Sequence, residues 1–239
     1  MLKLILRFKT LLNKITHFIF AVAQQGLNVL CLLCGWQGRK FMLPAKRCPR
    51  CSSLPRNRLI PYALLHFNID LNNKSILHMG PNMAEVAYIF NHFMPASYHR
   101  IDLCKKNIIN LPGDICKIPI NDFSTDIIIA WHVLEHVNDD YAAIREMWRI
   151  LRRGGLALIS VPISPPNRLH TDERKNLRQD QYKIAYGHPD HCRACGLDYF
   201  KRFEDVGFKI TTLEIKCEKN ENINLFGLSQ NHIVWCATK

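Results

Sequence analysis

The segment Gly113–Pro162 constrains the fold more than any other part of the chain. It contains a short β-branched run, Asp126–Ala130, that shows no helical periodicity. Such a run is typical of a parallel strand buried on both faces of a sheet. A second apolar run, Leu156–Val161, follows later in the segment and predicts another buried strand.

Between these strands the apolar residues recur at spacings of three and four, which predicts an amphipathic helix that starts at Val133. These positions are Val133, Leu134, Val137, Tyr141, Ile144, Met147, Trp148 and Leu151. Gly154 and Gly155 are expected to end the helix, because they follow a basic pair of the kind favoured at a helix C-terminus. Strand, helix and strand form a βαβ unit, and such units gather ligands at the carboxyl ends of their strands.

This segment resembles class I S-adenosylmethionine-dependent methyltransferases, in the group with a VLEH and RxLxxGG pattern, and the resemblance extends over roughly residues 75–237. Ser75–Asn82 resembles the first motif of that family, in which a strand delivers a glycine, here Gly80, to the methionine part of the cofactor. The resemblance implies an α/β, Rossmann-like, seven-stranded and mostly parallel sheet with helices on both faces. It also implies S-adenosyl-L-methionine as the cofactor.

The resemblance further implies which residues contact that cofactor. The second strand of the family ends in an acid that binds the ribose hydroxyls, and Asp102 occupies this position, 22 residues after Gly80. Doubly wound folds place such an acid about 20 residues after the glycine turn. Asp114 matches the residue that binds the adenine amino group. The complete predicted set is Gly80, Pro81, Asp102, Leu103, Asp114, Ile115 and His132.

Two features keep alternatives open. His78 stands where the family motif usually has an acid, and Gly80 is the one glycine left in the motif, so a catalytically inactive fold retained for binding is an alternative. In addition, the stretch His132–His136 fits the H-x-x-E-H pattern of inverted zinc proteases. That reading is disfavoured because the pattern straddles a strand end and a first helical turn, and His136 is expected to be a half-buried helix residue.

Two CxxC pairs near the N-terminus predict a metal site. Cys31 and Cys34 form the first pair, and Cys48 and Cys51 form the second after thirteen intervening residues. This is the ligand spacing of a tetrahedral structural zinc site. Four thiolates complete the coordination sphere, so the expected Zn²⁺ is structural. The other cysteines, including the Cys192–Cys195 pair, are left unassigned as ordinary thiols.

Charge is concentrated in the first 60 residues, which hold eleven Lys and Arg and no Asp or Glu, whereas residues 61–239 hold 21 basic and 20 acidic side chains. Such a block favours an anionic partner. Residues 1–23 are predicted to form a basic amphipathic helix, whose uncharged run is too short and too mixed in polarity to span a bilayer. The helix is expected either to lie on an anionic membrane surface or to pack on the core. A signal peptide is disfavoured because export would separate an enzyme from its cofactor. The expected location is cytoplasmic, with peripheral attachment to the inner face of the membrane as an option.

The insertion at 163–200 is expected to form the acceptor side of the site. Methyl transfer needs aligned donor and acceptor, and a base when the acceptor is a hydroxyl or amine. His191 is the candidate base, supported by Asp190 or His188, because an imidazole near neutral pKa suits this task. The alternative is that His188 and Arg193 merely tie the insertion to the core.

Three units are expected: the helix at 1–26, a zinc-ribbon-like unit at 27–60 and the methyltransferase domain at 61–239. The join at Arg56, Asn57 and Arg58 resembles joins found in the family, which suggests that the ribbon is built onto the catalytic domain. The alternative is that two solvated arginines merely cap a helix that begins near Pro61. The predicted function is methyl transfer to oxygen of a small-molecule, sugar or lipid-linked acceptor. A nucleic-acid methyltransferase is less favoured, because no amino-methyltransferase motif stands at the fourth strand and the basic block has few interleaved aromatics.

Overall fold

The computed structural model describes residues 28–104, 107–174 and 177–239. The amphipathic helix predicted at 1–26, with its membrane or core contacts, lies outside these ranges. Within them, none of the helices has the length and apolar character needed to cross a bilayer.

Nine strands and six α-helices alternate along the described ranges. They are β1 (Val29–Leu30), β2 (Gln37–Gly38), α1 (Pro55–His66), β3 (Ser75–Met79), α2 (Met83–His92), β4 (Ser97–Asp102), β5 (Leu111–Pro112), β6 (Thr125–Trp131), α3 (Asp140–Ile150), β7 (Leu151–Ser160), α4 (Gln179–Tyr186), α5 (Lys201–Val206), β8 (Lys209–Glu214), α6 (Asn220–Leu225) and β9 (Ile233–Thr238).

Seven strands form one sheet in the order β5-β4-β3-β6-β7-β9-β8, and β9 alone runs antiparallel to its neighbours. The predicted seven-stranded, mostly parallel sheet is therefore confirmed. The chain leaves β3 on one side to form β4 and later returns to its other side as β6. This reversal creates a topological switch point, and ligands of open α/β sheets bind at the carboxyl ends of the strands there.

Both faces of the sheet are covered, as predicted. Successive residues of the central strands enter opposite apolar clusters: Ile127 and Ile129 join the cluster that includes α1 and α2, and Ile128 joins the one that includes α3 and α5. This alternation follows from the period of two in a strand, and burial on both faces explains the continuous β-branched sequence.

The helix predicted from Val133 to Leu151 is shorter and broken. The segment Leu134–His136 forms a single 3₁₀ turn, and α3 begins only at Asp140, where the Asp139 carboxylate accepts the Ala142 N–H at 2.8 Å. Gly154 and Gly155 do not end the helix. They lie within β7, where the pairing with β6 slips at a bulge, and Gly154 has a φ of 75°.

The closing antiparallel hairpin predicted around 207–210 and 232–236 is present as β8 and β9. The intervening segment at 218–231, expected to be a polar loop, contains the short helix α6. This helix contacts β1, so the C-terminal part of the chain lies close to the cysteine-bearing segment.

The join between the cysteine pairs and the sheet differs from the prediction. Helix α1 begins at Pro55, so Pro61 lies inside it and the expected boundary between residues 60 and 61 falls within a helix. Arg58 is fully buried and is not a solvated cap. Its guanidinium donates to the carbonyl oxygens of Ser53 and Gly227, both at 2.8 Å. It therefore binds the cysteine-bearing segment to the C-terminal part of the fold.

Candidate functional site

A tight turn at Gly80 follows β3. Gly80 has a φ of 57°, in the left-handed region that favours glycine, and a Cβ at this position would lie 2.8 Å from Val133 Cγ2. Asn82 then begins α2: its side chain accepts from the backbone of Glu85, and the Glu85 carboxylate accepts the Asn82 N–H at 3.0 Å. This reciprocal cap fixes the turn at the carboxyl end of the central strand.

A cavity of about 530 Å³ opens at the switch point, and Asp102 and Asp114 both line it. The other lining residues are Gly80, Ile101, Leu103, Gly113, Ile115, Cys116, His132, Val133, His136, Val137, Asn138 and Asp139. Each of the two carboxylates accepts a backbone N–H two residues later, at 2.8 Å, from Cys104 and Cys116 respectively. These turns hold both acids at the edge of one hollow.

Six of the seven predicted cofactor contacts therefore share one cavity; Pro81 is buried beside it and is not part of the wall. Leu103 is largely exposed and Ile115 is buried. The cavity has the size of small-ligand sites. Its apolar wall with two carboxylates is the surface that an adenosine group needs.

His78 does not face this cavity. It is fully buried, its Nδ1 lies 2.9 Å from the Tyr98 hydroxyl and its Nε2 lies 3.6 Å from Glu85 Oε2. Burial lowers the pKa of His78 to about 3 and raises the pKa of the Glu85 carboxyl to about 7. The unusual residue of the first motif is thus part of the core behind the glycine turn.

His132 ends β6 in a left-handed conformation with a φ of 52°, which is rare for a residue with a side chain. Its Nδ1 lies 3.5 Å from Glu135 Oε1. Glu135 is 1% exposed, and its Oε2 has no hydrogen-bond partner among the described residues. Backbone strain and an unpartnered buried carboxylate beside a cavity are features of functional sites.

Three histidines meet at the edge of the cavity: His136, which lines it, and His188 and His191 from the insertion. The ring centroid of His191 lies 4.7 Å from that of His136 and 4.8 Å from that of His188. We call these three residues the histidine cluster. Burial lowers the pKa of His191, and the Glu135 carboxylate opposes this shift. The two predicted catalytic histidines are therefore close together. The backbone carbonyl oxygen of Asp190 accepts a hydrogen bond of 2.9 Å from His136 Nδ1.

The sequence did not indicate that His136 belongs to this group, because the H-x-x-E-H pattern paired His136 with His132. Both histidines lie beside Glu135 Oε1, but their ring neighbours differ: the ring of His132 contacts His232, whereas that of His136 contacts the insertion. The ring of His232 is buried, which lowers its pKa to about 3.

Arg193 explains both the broken helix and the position of the insertion. Its buried guanidinium donates to the carbonyl oxygens of Leu134 at 2.8 Å and Val137 at 2.6 Å, and also contacts Asp140 and Glu173. The Cys192 N–H adds a bond to the Glu135 carbonyl at 2.8 Å. Arg193 therefore ties the insertion to the turn that follows β6, which is the alternative role that the sequence offered for this residue.

The four cysteines predicted to bind metal also converge. Cys31 Sγ lies 3.6 Å from Cys51 Sγ, and Cys34 Sγ lies 3.7 Å from Cys48 Sγ. All four sulfur atoms lie within 4.8 Å of one another. A tetrahedron with Zn–S bonds of about 2.3 Å has sulfur atoms about 3.8 Å apart, so the donor set fits this ion. Gly35 and Ser52, which follow the two pairs, both have left-handed backbones, with φ of 69° and 61°.

Residues 77–159 match a family model described as a methyltransferase domain. The chain is 31% identical, over 33% of its length, to a probable S-adenosylmethionine-dependent methyltransferase of Mycolicibacterium smegmatis. It is 29% identical, over 46% of its length, to a protein of the same description from Mycobacterium tuberculosis. The aligned parts span 31% and 40% of those relatives.

The fold matches solved methyltransferase structures at low sequence identity. An S-adenosylmethionine-dependent methyltransferase from Mesorhizobium loti superposes with a TM-score of 0.56 at 15% identity, over 74% of this chain and 96% of that one. A methyltransferase from Archaeoglobus fulgidus gives 0.54 at 14% identity, over 77% and 94%. These likenesses establish the fold.

Proposed function

We propose that this chain, with its methyltransferase domain at residues 77–159, is an S-adenosylmethionine-dependent methyltransferase. The observation that carries the proposal is the single cavity at the switch point, which the glycine turn and two separate carboxylates share. The acceptor is a small-molecule, sugar or lipid-linked compound that is methylated at oxygen.

The residues around the cavity fit the donor. The backbone at Gly80 leaves room for the methionine part, Asp102 would accept the ribose hydroxyls, and Asp114 with Ile115 would hold the adenine. His132 would line the same cavity from the end of β6. S-adenosyl-L-methionine supplies an electrophilic methyl group when bound. The protein itself has to align the acceptor with it and handle one proton.

On the acceptor side, we propose that the histidine cluster receives the acceptor hydroxyl. His191 would take up its proton, as the sequence predicts, while His188 and Asp190 hold that part of the insertion in place. The Asp190 N–H bonds to His188 Nδ1 at 3.2 Å and supports this arrangement. Contact between the cluster and the cavity runs through His136.

Titration calorimetry with S-adenosyl-L-methionine tests the donor assignment. We expect heat of binding with the full-length protein and at least about a tenfold weaker affinity for Asp102→Asn, since a charged hydrogen-bond acceptor is worth about 1.5–3 kcal/mol. Asp180→Asn, at an exposed position on α4, is the matched control and should bind like the unchanged protein. Absence of heat in the unchanged protein would favour the inactive fold and contradict the proposal.

We also propose a structural Zn²⁺ held by Cys31, Cys34, Cys48 and Cys51. Arg58 supports the charge balance of this site, because its buried guanidinium lies near the four cysteines. Burial lowers the pKa of Arg58, and the cysteines act in the opposite direction. Elemental analysis of the purified protein should find zinc, and the amount should fall in Cys48→Ser.

For the basic N-terminal block we propose contact with an anionic membrane surface through residues 1–23, in a cytoplasmic protein. Nine basic side chains at positions 9–58 add to the two in 1–7 without any acid. Flotation with vesicles that contain acidic phospholipid should carry the full chain, and less of a shortened chain that begins near Gly26. Equal flotation of both would remove this segment from the proposal.

A further inference from the structure

We propose that the histidine cluster is a binding site for one divalent first-row transition metal ion, at the edge of the donor cavity. The inference rests on the proposed function, because it specifies how the acceptor oxygen would be activated. It also changes the role of His191, which becomes a metal ligand instead of a free base.

The geometry is close to that of a three-histidine site. One ring nitrogen of each of His136, His188 and His191 lies within 4.8 Å of the other two. The rings of His136 and His188 are nearly perpendicular, at 89°, with centroids 5.8 Å apart. Small side-chain rotations would bring the nitrogen atoms to about 2.0–2.1 Å from one ion.

The surroundings hold these ligands in place. His136 Nδ1 lies 2.9 Å from the carbonyl oxygen of Asp190, so this nitrogen carries the proton and leaves Nε2 for a metal. The backbone bond from Cys192 to Glu135 and the buried Arg193 fix the insertion against the 3₁₀ turn that carries His136. One contact has to change: the Asp190 N–H to His188 Nδ1 bond must be released if His188 binds through Nε2.

A second observation points to a cation at this place. The buried side chain of Glu135 has its Oε1 3.7 Å from His136 Nε2, and its Oε2 has no hydrogen-bond partner among the described residues. A buried carboxylate that is incompletely paired is unfavourable. A cation on the adjacent imidazoles would provide the missing partner charge.

The donor atoms indicate the class of metal. Three neutral imidazoles suit Zn²⁺, Co²⁺, Ni²⁺ or Cu²⁺, whereas Mg²⁺ and Ca²⁺ prefer oxygen ligands. Three protein ligands also leave a coordination position open, as in catalytic zinc sites. Since His136 lines the cavity, an acceptor hydroxyl there would be within reach of that position.

The chemistry balances without any redox change. An ion of this class lowers the pKa of a hydroxyl that binds it, so the hydroxyl gives its proton to bulk water near neutral pH. A lone pair on that oxygen forms the new bond to the methyl carbon of the donor. The carbon–sulfur bond breaks, and its electron pair remains on the sulfur, which becomes neutral.

Cobalt binding tests the inference independently of any acceptor. The full-length protein, with its cysteine site loaded with zinc, is titrated with Co²⁺ and followed by visible absorption. We expect one equivalent to bind with the visible bands of a nitrogen-coordinated site and without the near-ultraviolet charge-transfer band that thiolate ligands produce. His136→Asn and the double variant His188→Asn/His191→Asn should each weaken binding at least tenfold, while circular dichroism confirms that they are folded.

His170→Asn is the matched control, since His170 lies on the same insertion, is 84% exposed and pairs with Asp198. It should bind Co²⁺ like the unchanged protein. Failure to bind Co²⁺, unchanged affinity in His136→Asn, or a thiolate band would each overturn the inference. Calorimetry with S-adenosyl-L-methionine on the same samples separates the two proposals: donor binding without cobalt binding refutes the metal site alone, and cobalt binding without donor binding refutes the proposed function alone.

Discussion

At the scale of single residues, Gly80 is the position where a side chain is least compatible with the site. Its left-handed backbone disfavours other residues by about 1–2 kcal/mol, and an added Cβ would press on Val133. We therefore expect Gly80→Ala to bind S-adenosyl-L-methionine about tenfold more weakly, measured by calorimetry. Gly187→Ala is the control: it shares a left-handed backbone, but a Cβ there has open space. Equal loss of affinity in both variants would refute a local effect.

Glu85 gives the protein a predicted pH dependence. Its pKa is about 7 in the folded chain and 4.5 in an unconstrained chain, so the folded state binds the proton more tightly. The free energy of unfolding therefore decreases as pH rises from 4.5 to about 7, by about 3 kcal/mol from this group. Gln has no such proton, so the stability of Glu85→Gln relative to the unchanged protein should improve by that amount between pH 4.5 and 7.5.

Urea denaturation at several pH values measures this difference. His78, whose folded pKa is about 3, acts in the opposite direction below pH 6.5, and because its ring lies 3.6 Å from Glu85 the difference between the two proteins in that range reports the pair. Glu204→Gln, at an exposed position, should follow the unchanged protein throughout. A difference that stays constant with pH would mean that Glu85 titrates normally.

At the scale of secondary structure, sequence periodicity predicted a strand or helix correctly where the burial of its own residues determines its type. The β-branched run at 126–130 became β6 because both its faces are covered. The helix after it was predicted too long, because periodicity cannot show that Arg193, more than fifty residues away, donates to the carbonyl oxygens of Leu134 and Val137. The buried guanidinium of Arg193, distant in sequence, therefore determines where α3 begins.

This arrangement predicts that Arg193 stabilises the 3₁₀ turn and the insertion together. Arg193→Met would remove the donor to the carbonyl oxygens of Leu134 and Val137 and weaken the charge balance at Asp140, so we expect a loss of about 3–5 kcal/mol in the free energy of unfolding. Guanidinium denaturation measures this loss. Arg174→Met, with a 57% exposed side chain on the same insertion, should cost less than about 1 kcal/mol. A similar small loss in Arg193→Met would contradict the anchoring role.

At the scale of the whole molecule, the cysteine pairs and the sheet share one apolar cluster. Cys31 and Cys48, α1 and the strand residue Ile129 all belong to it. The join at Arg56 and Arg58 suggested that the cysteine unit is built onto the domain, but the spacing of the cysteines gives no information about which residues pack behind them.

The shared cluster predicts a single cooperative unfolding transition. Loss of the proposed zinc in Cys48→Ser should destabilise the entire chain, on the order of 5 kcal/mol, and scanning calorimetry should show one transition at a lower temperature. Cys217→Ser, at an exposed thiol, should leave the transition unchanged. Two separate transitions, with the upper one unaffected, would show instead that the cysteine unit unfolds alone.

The acceptor side could be predicted only in part for the same physical reason. His188 and His191 are neighbours in sequence and were recognised, whereas His136 joins them only because the insertion folds back by more than fifty residues. The shared cavity of the predicted donor residues could be expected from the sequence, because these residues lie at or shortly after strand ends, and strand ends meet at one edge.

Asn57 donates a hydrogen bond of 2.8 Å to Glu85, the residue that caps the turn at Gly80. A helix that starts just beyond the second cysteine pair therefore reaches the backbone that would receive the proposed methyl donor. We expect maturation to follow a fixed order, in which a newly synthesised chain becomes competent for the proposed co-substrate only after its two cysteine pairs have captured the proposed ion.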